Sequence, residues 1–307
     1  MQRSSFKQTF FYESGQALVL VLLSLSVVLT IVLFILSRSI TDISISTEQA
    51  DSVRAFSAAE AGIERALITG SSYNDVSIGN ASYSVNVSDY SEGQTTFNYP
   101  SKLLSGNSMT NWFVSHNTLG NIICGAGYPC FTGNTIKVCW GNEGTSKSTA
   151  TTPAIEISVY YENPVGSFAN VKLARAVYDP NDARRASNSF AMPDPVGTCQ
   201  IGGVNYAFQK TITMSGLGIP AGSYTVANGL LFAKVRMLYN TDASHIVGTS
   251  VAFAGNTTLP SQGLEIVSTG SSGVAGSESN RRVNVFQSWA EFPFSGLSVF
   301  SPYGLVK

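Results

Sequence analysis

The chain has 307 residues, a formal net charge of -1 and a sequence pI near 6.1, and its only adjacent basic pairs are Arg184-Arg185 and Arg281-Arg282. That balance gives no argument for nucleic-acid binding, so no nucleic-acid partner is expected. Charged residues make up 12%, about half the share of an average soluble domain; Gly, Ser, Thr and Asn fill the gap, which suits an extracytoplasmic β-rich domain better than a cytosolic enzyme.

Residues 1–15 read as a short cytoplasmic leader. Arg3, Lys7 and the terminal amine outweigh Glu13, whereas Arg38 is followed by Asp42, Glu48 and Asp51. The positive-inside bias therefore predicts a single pass with the N-terminus in the cytoplasm and the bulk of the chain outside. Ala17 to Leu36 reads ALVLVLLSLSVVLTIVLFIL, with Ser24, Ser26 and Thr30 as its only polar side chains. Each of these hydroxyls can return to a carbonyl one turn back. A helix of this length spans roughly 30 Å, the hydrocarbon thickness of a bilayer, so 17–36 is read as transmembrane rather than as a buried core helix. A secretory signal fits poorly, because the apolar stretch exceeds an h-region and no A-x-A site follows. An uncleaved anchor is the stronger rival.

The helical pattern continues past the bilayer. From Ser37 to Thr69 there is no proline and Gly62 is the only glycine. Ile40, Ile43, Ala50, Val53, Phe56, Ile63 and Leu67 recur at helical spacing among Asp42, Glu48, Asp51, Arg54, Glu60 and Glu64. One helix over 16–69 is about 80 Å long, half in lipid and half presenting an apolar stripe. The small residues of SAAEAG, Ser57 to Gly62, let another backbone approach closely, either the protein's own sheet or a neighbouring helix. Glu60 and Glu64 lie one turn apart and are placed on the solvated or subunit-facing side.

A leader with basic residues that ends in Gly15 and abuts an apolar helix, which continues into RAFSAAEAGIERAL (Arg54 to Leu67), resembles the type IV pilin superfamily. The likeness is greatest to its minor-pilin and tip-pseudopilin branch and covers about residues 1–69. It implies cleavage by a membrane-embedded prepilin peptidase between Gly15 and Gln16. It implies other pilins or pseudopilins and the pilus assembly machinery as partners. Leu20, Phe56, Ala58, Ala59, Glu60 and Gly62 become the residues of filament and helix packing. The family usually has a glutamate at the fifth mature position, where this chain has Leu20. The family's tip pseudopilin also carries an apolar residue there, so the resemblance implies a minor, initiating or tip subunit rather than the repeating one.

Gly70 is placed to cap the helix. Beyond it the chain is read as one extracytoplasmic β-rich domain, residues 70–307. Strands are expected over Ala81–Val87, Lys137–Trp140, Ala154–Tyr161, Asn170–Tyr178, Tyr206–Met214, Gly229–Tyr239, Ile246–Phe253, Gly263–Thr269 and Arg281–Phe292. The fold class is therefore α+β, a long N-terminal transmembrane helix followed by a mainly antiparallel sheet or sandwich domain. Residues 98–135 read as an inserted loop or short helix (Ser101–Leu104, Asn107–Val114) stapled by a disulfide. Ser268 to Asn280 (STGSSGVAGSESN) reads as a flexible hairpin tip.

Cys124, Cys130, Cys139 and Cys199 all fall in the region expected outside, and four cysteines allow three pairings. The reading favoured is Cys124–Cys130 closing a short Gly/Pro loop and Cys139–Cys199 joining distant strands. Zinc is a rival without any C-x₂-C pair, and free buried thiols are a third option. Asp179, Asn181 and Asp182 offer closely spaced oxygens for Ca²⁺, against the more ordinary reading of an Asx turn. His116 and His245 have no partner pattern, and no G-x-S-x-G, H-E-x-x-H or P-loop is present, so neither enzyme activity nor a cofactor is expected. Trp112, Trp140, Trp289 and the Phe292–Tyr303 tail are the aromatic candidates for a ligand surface. The alternative to a filament subunit is a membrane-anchored adhesin or ligand-binding β domain.

Overall fold

The computed structural model describes residues 14–166, 170–195, 199–251, 258–274 and 276–291. Most of the expected leader, the Phe292–Tyr303 tail and the ends of two expected strands lie outside them. The chain begins with α1 (Ser14–Thr69), a single unbroken helix of 56 residues, about 84 Å long at 1.5 Å per residue. Gly15 and Gln16 lie inside its first turn. The three hydroxyls of the apolar half bond within the helix, Ser24 to the Val21 carbonyl (2.9 Å), Ser26 to Leu23 (2.8 Å) and Thr30 to Ser26 (3.0 Å). These bonds leave no polar hydrogen facing outward from the apolar cylinder. Among the described residues α1 is the one helix long and apolar enough to cross a membrane. At its far end Gly70 adopts φ +64° and donates its amide to Ala66 O at 2.7 Å, the αL cap that glycine provides without strain.

Beyond Gly70 the structure is mainly antiparallel β. The strands are β1 (Tyr73–Ile78), β2 (Ala81–Asp89), β3 (Thr96–Asn98), β4 (Ser108–Trp112), β5 (Ser115–His116), β6 (Ile122–Ile123), β7 (Thr135–Asn142) and β8 (Ala154–Glu162). They continue with β9 (Val171–Tyr178), β10 (Cys199–Ile201), β11 (Val204–Thr213), β12 (Leu230–Leu238), β13 (Val247–Ser250), β14 (Gly263–Ser272) and β15 (Ser279–Ser288). Two short helices, α2 (Asp182–Asn188) and α3 (Ala221–Tyr224), lie between them. The sheet orders are β1-β2-β14-β15, β10-β11-β7-β13-β3 and β4-β12-β8-β9, with β5-β6 as a separate ribbon.

The chain divides into two units. The first holds the helix to Glu64, residues 73–85 and residues 268–283. The second holds residues 65–72, 86–267 and 284 onward. In the second unit the five- and four-stranded sheets share one core. Ile136, Val138 and Trp140 of β7, Ile212 of β11 and Val247 of β13 meet Ile155, Ile157 and Val159 of β8 and Ala233, Val235 and Met237 of β12. Every second residue of β8 and β12 points inward, the signature of two sheets packed face to face. Trp140 is wholly buried and donates Nε1 to Pro153 O at 2.9 Å, which settles the one polar atom the ring carries.

Two expectations need correcting. Neither Ser101–Leu104 nor Asn107–Val114 is helical: the latter segment contains β4, paired residue for residue with β12 from Trp112↔Phe232 to Ser108↔Arg236. Both faces of β4 are covered, so the alternation that marks a strand is absent from its sequence. The hairpin tip is far shorter than Ser268–Asn280, because β14 continues through Ser272 and β15 starts at Ser279. The Asx turn expected at Asp179 is present, ends β9 and leads into α2.

Cys124 is bonded to Cys130 and Cys139 to Cys199. The second bond ties β10 to β7 across a sequence separation of 60. Replacing Cys139 and Cys199 together by alanine is expected to lower stability by about 4 kcal/mol, from the closure entropy of that loop. Thermal unfolding of the full chain in detergent, followed by tryptophan fluorescence, measures it.

Candidate functional site

The residues that the resemblance assigns to packing sort onto two sides of α1. Ala55, Ala58, Ala59 and Ile63 are buried, as is Gly62, while Val53, Phe56, Glu60 and Glu64 are exposed. The buried side faces the protein's own sheet. A Cβ on Gly62 would lie 2.3 Å from Ser268 Oγ and 2.7 Å from the Tyr83 ring. From the other direction, a Cβ on Gly270 would lie 1.9 Å from Ala55 O and 2.6 Å from Ala59 N. Both glycines are required by close approach, one on the helix and one on β14. Ile266, Ser268, Gly270 and Ser272 are the inward positions of β14, alternating with half-exposed ones. The helix therefore lies against a strip of small side chains and backbone.

Polar contacts fix the register of this joint. Ser272 Oγ donates to Asp51 Oδ1 at 3.1 Å. Arg281 donates to Ser52 Oγ from both Nε (2.8 Å) and Nη2 (2.6 Å). Arg54 pairs with Asp51 at 3.0 Å. Sequence reasoning missed Ser268, Gly270, Ser272 and Arg281 as joint residues. The signal that marks the first three is S-x-G-x-S, small residues at alternate positions, which matches a strand lying under a small-residue helix.

The other side of α1 is exposed. Val53 is 65% and Phe56 46% exposed, with Glu60 and Glu64 beside them, and Leu20 in the apolar half is 65% exposed. The SAAEAG pattern thus serves two surfaces. Ala58, Ala59 and Gly62 receive the sheet, and Ser57 and Glu60 face away from it, as does Phe56 just before the pattern.

The candidates for other chemistry are engaged elsewhere. Asp179 is fully buried and receives Arg184 at both carboxylate oxygens (2.7 Å each), Asn188 Nδ2 at 2.8 Å and the Asn181 amide at 2.9 Å. Burial pushes the carboxyl up, but the Arg184 guanidinium, the Asn181 amide and Asn188 together hold it below the usual carboxylate range. Asn181 caps α2 through Oδ1, which accepts Arg184 N at 3.0 Å, and Asp182 pairs with Arg185. A guanidinium fills the place that a cation would take, so these three residues form an Asx turn and a helix cap.

His245 accepts the Asn142 amide on Nδ1 at 3.0 Å, and burial holds its pKa below the ordinary value. Trp112 and Trp140 are core residues, while Trp289 is half-buried and donates Nε1 to Ser261 O at 3.0 Å. His116 is buried between Trp112, with ring centroids 4.5 Å apart and edge-on, and Trp289, 4.9 Å apart and stacked. No group of three His, Cys, Asp or Glu side chains suited to a metal exists among the described residues.

Gly270→Val is expected to force strand and helix apart and cost about 1–3 kcal/mol by overpacking, despite valine's better strand propensity. Thr269→Val, on the half-exposed face, is the control and should stay within about 0.5 kcal/mol of wild type. Faster proteolytic cleavage after Arg54 in Gly270→Val, with no change in the control, checks it. No family model, curated protein or solved structure matches this chain.

Proposed function

We propose that this protein is a structural subunit of a filament, a minor pilin or pseudopilin of a type IV pilus or type II secretion-like machine. One observation carries the reading. A helix whose first half has the length and polarity of a membrane span runs without a break into a second half with one face seated on its own sheet and the other exposed. A simple anchor has no use for the second half. Its mechanism is assembly: the apolar half waits in the bilayer, cleavage between Gly15 and Gln16 frees it, and extraction exchanges lipid contacts for contacts with neighbouring helices. The β structure is then displayed outside the membrane.

Leu20 bears on the position in the filament. A buried terminal amine without a counter-charge is costly, by several kcal/mol. A subunit that offers no carboxylate at its fifth mature position suits a place where no neighbour's terminus must be received. The reading is thus a minor, initiating or tip subunit, with prepilin peptidase and other pilins as partners.

N-terminal sequencing of the protein from its native membrane is the first test. A mature chain that starts at Gln16 supports the proposal, and one that retains Met1 overturns it. A bulky residue in place of Gly15 should leave full-length protein in the membrane, seen as a mass increase equal to residues 1–15. Leu20→Glu should raise the fraction of subunit recovered in sheared filaments. Deletion of the protein should reduce filament number; unchanged filaments with lost attachment would assign it instead as an adhesin.

A further inference from the structure

The β5–β6 hairpin stands apart chemically from the rest of the chain. Residues 103–136 contain no Asp, Glu, Lys or Arg, and His116 is the one side chain there able to gain a positive charge. The hairpin is closed by Cys124–Cys130, and Ile122, Cys124 and Cys130 pack on Trp112, Val114, Leu231 and Phe232. His116 is 8% exposed and its Nδ1 has no hydrogen-bond partner among the described residues; the Nε1 of Trp112 beside it is likewise buried without one. Beneath the hairpin, Trp112, Phe232 and Tyr160 form a row across three strands, with Phe232 and Tyr160 stacked at 4.4 Å.

We propose that this hairpin is an acid-opened latch: a proton taken from water by the His116 imidazole dislodges the ring from its stack with Trp289, releases the closed loop and uncovers the aromatic row. The proton brings a charge onto a ring whose Nδ1 is buried with no acceptor among the described residues. Among the described residues no carboxylate is paired with the ring, and the stacked face of Trp289 is what attracts its charge. β4, β5 and β6 carry no charged side chain, and Tyr128 is the only other titratable group in the hairpin apart from the bonded cysteines. Lys234 of β12 and Glu291, beyond β15, are paired with each other. Arg236 of β12 also has a partner. On β8, Tyr160 has a partner, Glu156 is held by Arg175, and Glu162 accepts the Gly166 amide on Oε2 while its Oε1 is buried without a partner among the described residues. Burial alone lowers the basicity of His116, from 6.5 to about 4. A histidine held neutral in this way keeps its full contribution above pH 6.5. That contribution erodes as the pH falls below 6.5 and is spent once the pH passes below about 4. By pH 4 the opened form should be favoured roughly a hundredfold more than at neutrality.

The experiment is amide hydrogen exchange on the full chain in detergent micelles between pH 7 and 3.5, corrected for intrinsic rates, with His116→Phe and His116→Gln alongside. NMR titration of the His116 ring accompanies it. Expected is a rise of at least tenfold in exchange over 115–131 below pH 5 in wild type only, with the imidazole titrating near pH 4. The β7 and β8 amides should stay protected. A rise of equal size in either folded variant, no rise in wild type, loss of protection throughout the chain at the same pH, or titration at the ordinary pKa would each overturn the latch. The result stands or falls independently of whether the chain enters a filament.

Discussion

The first unit depends on one steric constraint, the approach of the α1 backbone to β14. At Gly270 there is room for a hydrogen and not for a methyl group, and the same holds at Gly62 on the opposite partner. Close contact of this kind loses the large buried side chains that stabilise most helix–sheet joints. It gains dispersion contacts between backbones and a register that larger residues would not fit. The hydroxyl contacts of Ser272 with Asp51 and of Ser52 with Arg281 are aligned along that joint.

The joint also bears on how the exposed side of the helix can be used. With Ala55, Ala58, Ala59, Gly62 and Ile63 turned to the sheet, the opposite face keeps Val53, Phe56, Glu60 and Glu64. The second unit is held differently. Its sandwich core is filled by Ile, Val, Met and Trp from two sheets, and polar residues within it are bonded to backbone, as with Gln262, which accepts the Trp112 amide at 2.8 Å and donates to the Trp112 and Pro260 carbonyls. Asp179 and Arg184 form a further buried pair whose carboxylate oxygens are both used. Removing one partner of such a pair leaves an uncompensated buried charge, which is strongly destabilising.

Much of this is legible in the residues alone. The helix can be read because apolarity sustained from Ala17 to Leu36 and a proline-free continuation are properties of local order along the chain. Strands β8, β9, β11 and β12 are legible from runs rich in Val, Ile, Tyr and Phe bounded by Gly, Pro, Asn and Asp turns, although both faces of β8 and β12 are largely covered. Strand β4 is misread because Met109 enters the main core while Trp112 enters the cluster under the hairpin, so neither face is polar. The STGSS end of β14 is misread for a different reason. Its composition is that of a loop, and only the helix lying against it turns small residues into packing residues.

The sequence by itself determined that this chain has a membrane-length helix continued by an amphipathic one, β structure after Gly70, and a stretch without charge around His116. These arise from periodicity and composition, which neighbouring residues impose on each other. Only the tertiary structure decided that SAAEAG receives the protein's own β14, that Asp179 meets Arg184 instead of standing open, and that His116 is closed between two indoles. Each of those outcomes depends on which segment arrives from far along the chain, and a small or polar residue carries no local mark of the partner it will meet.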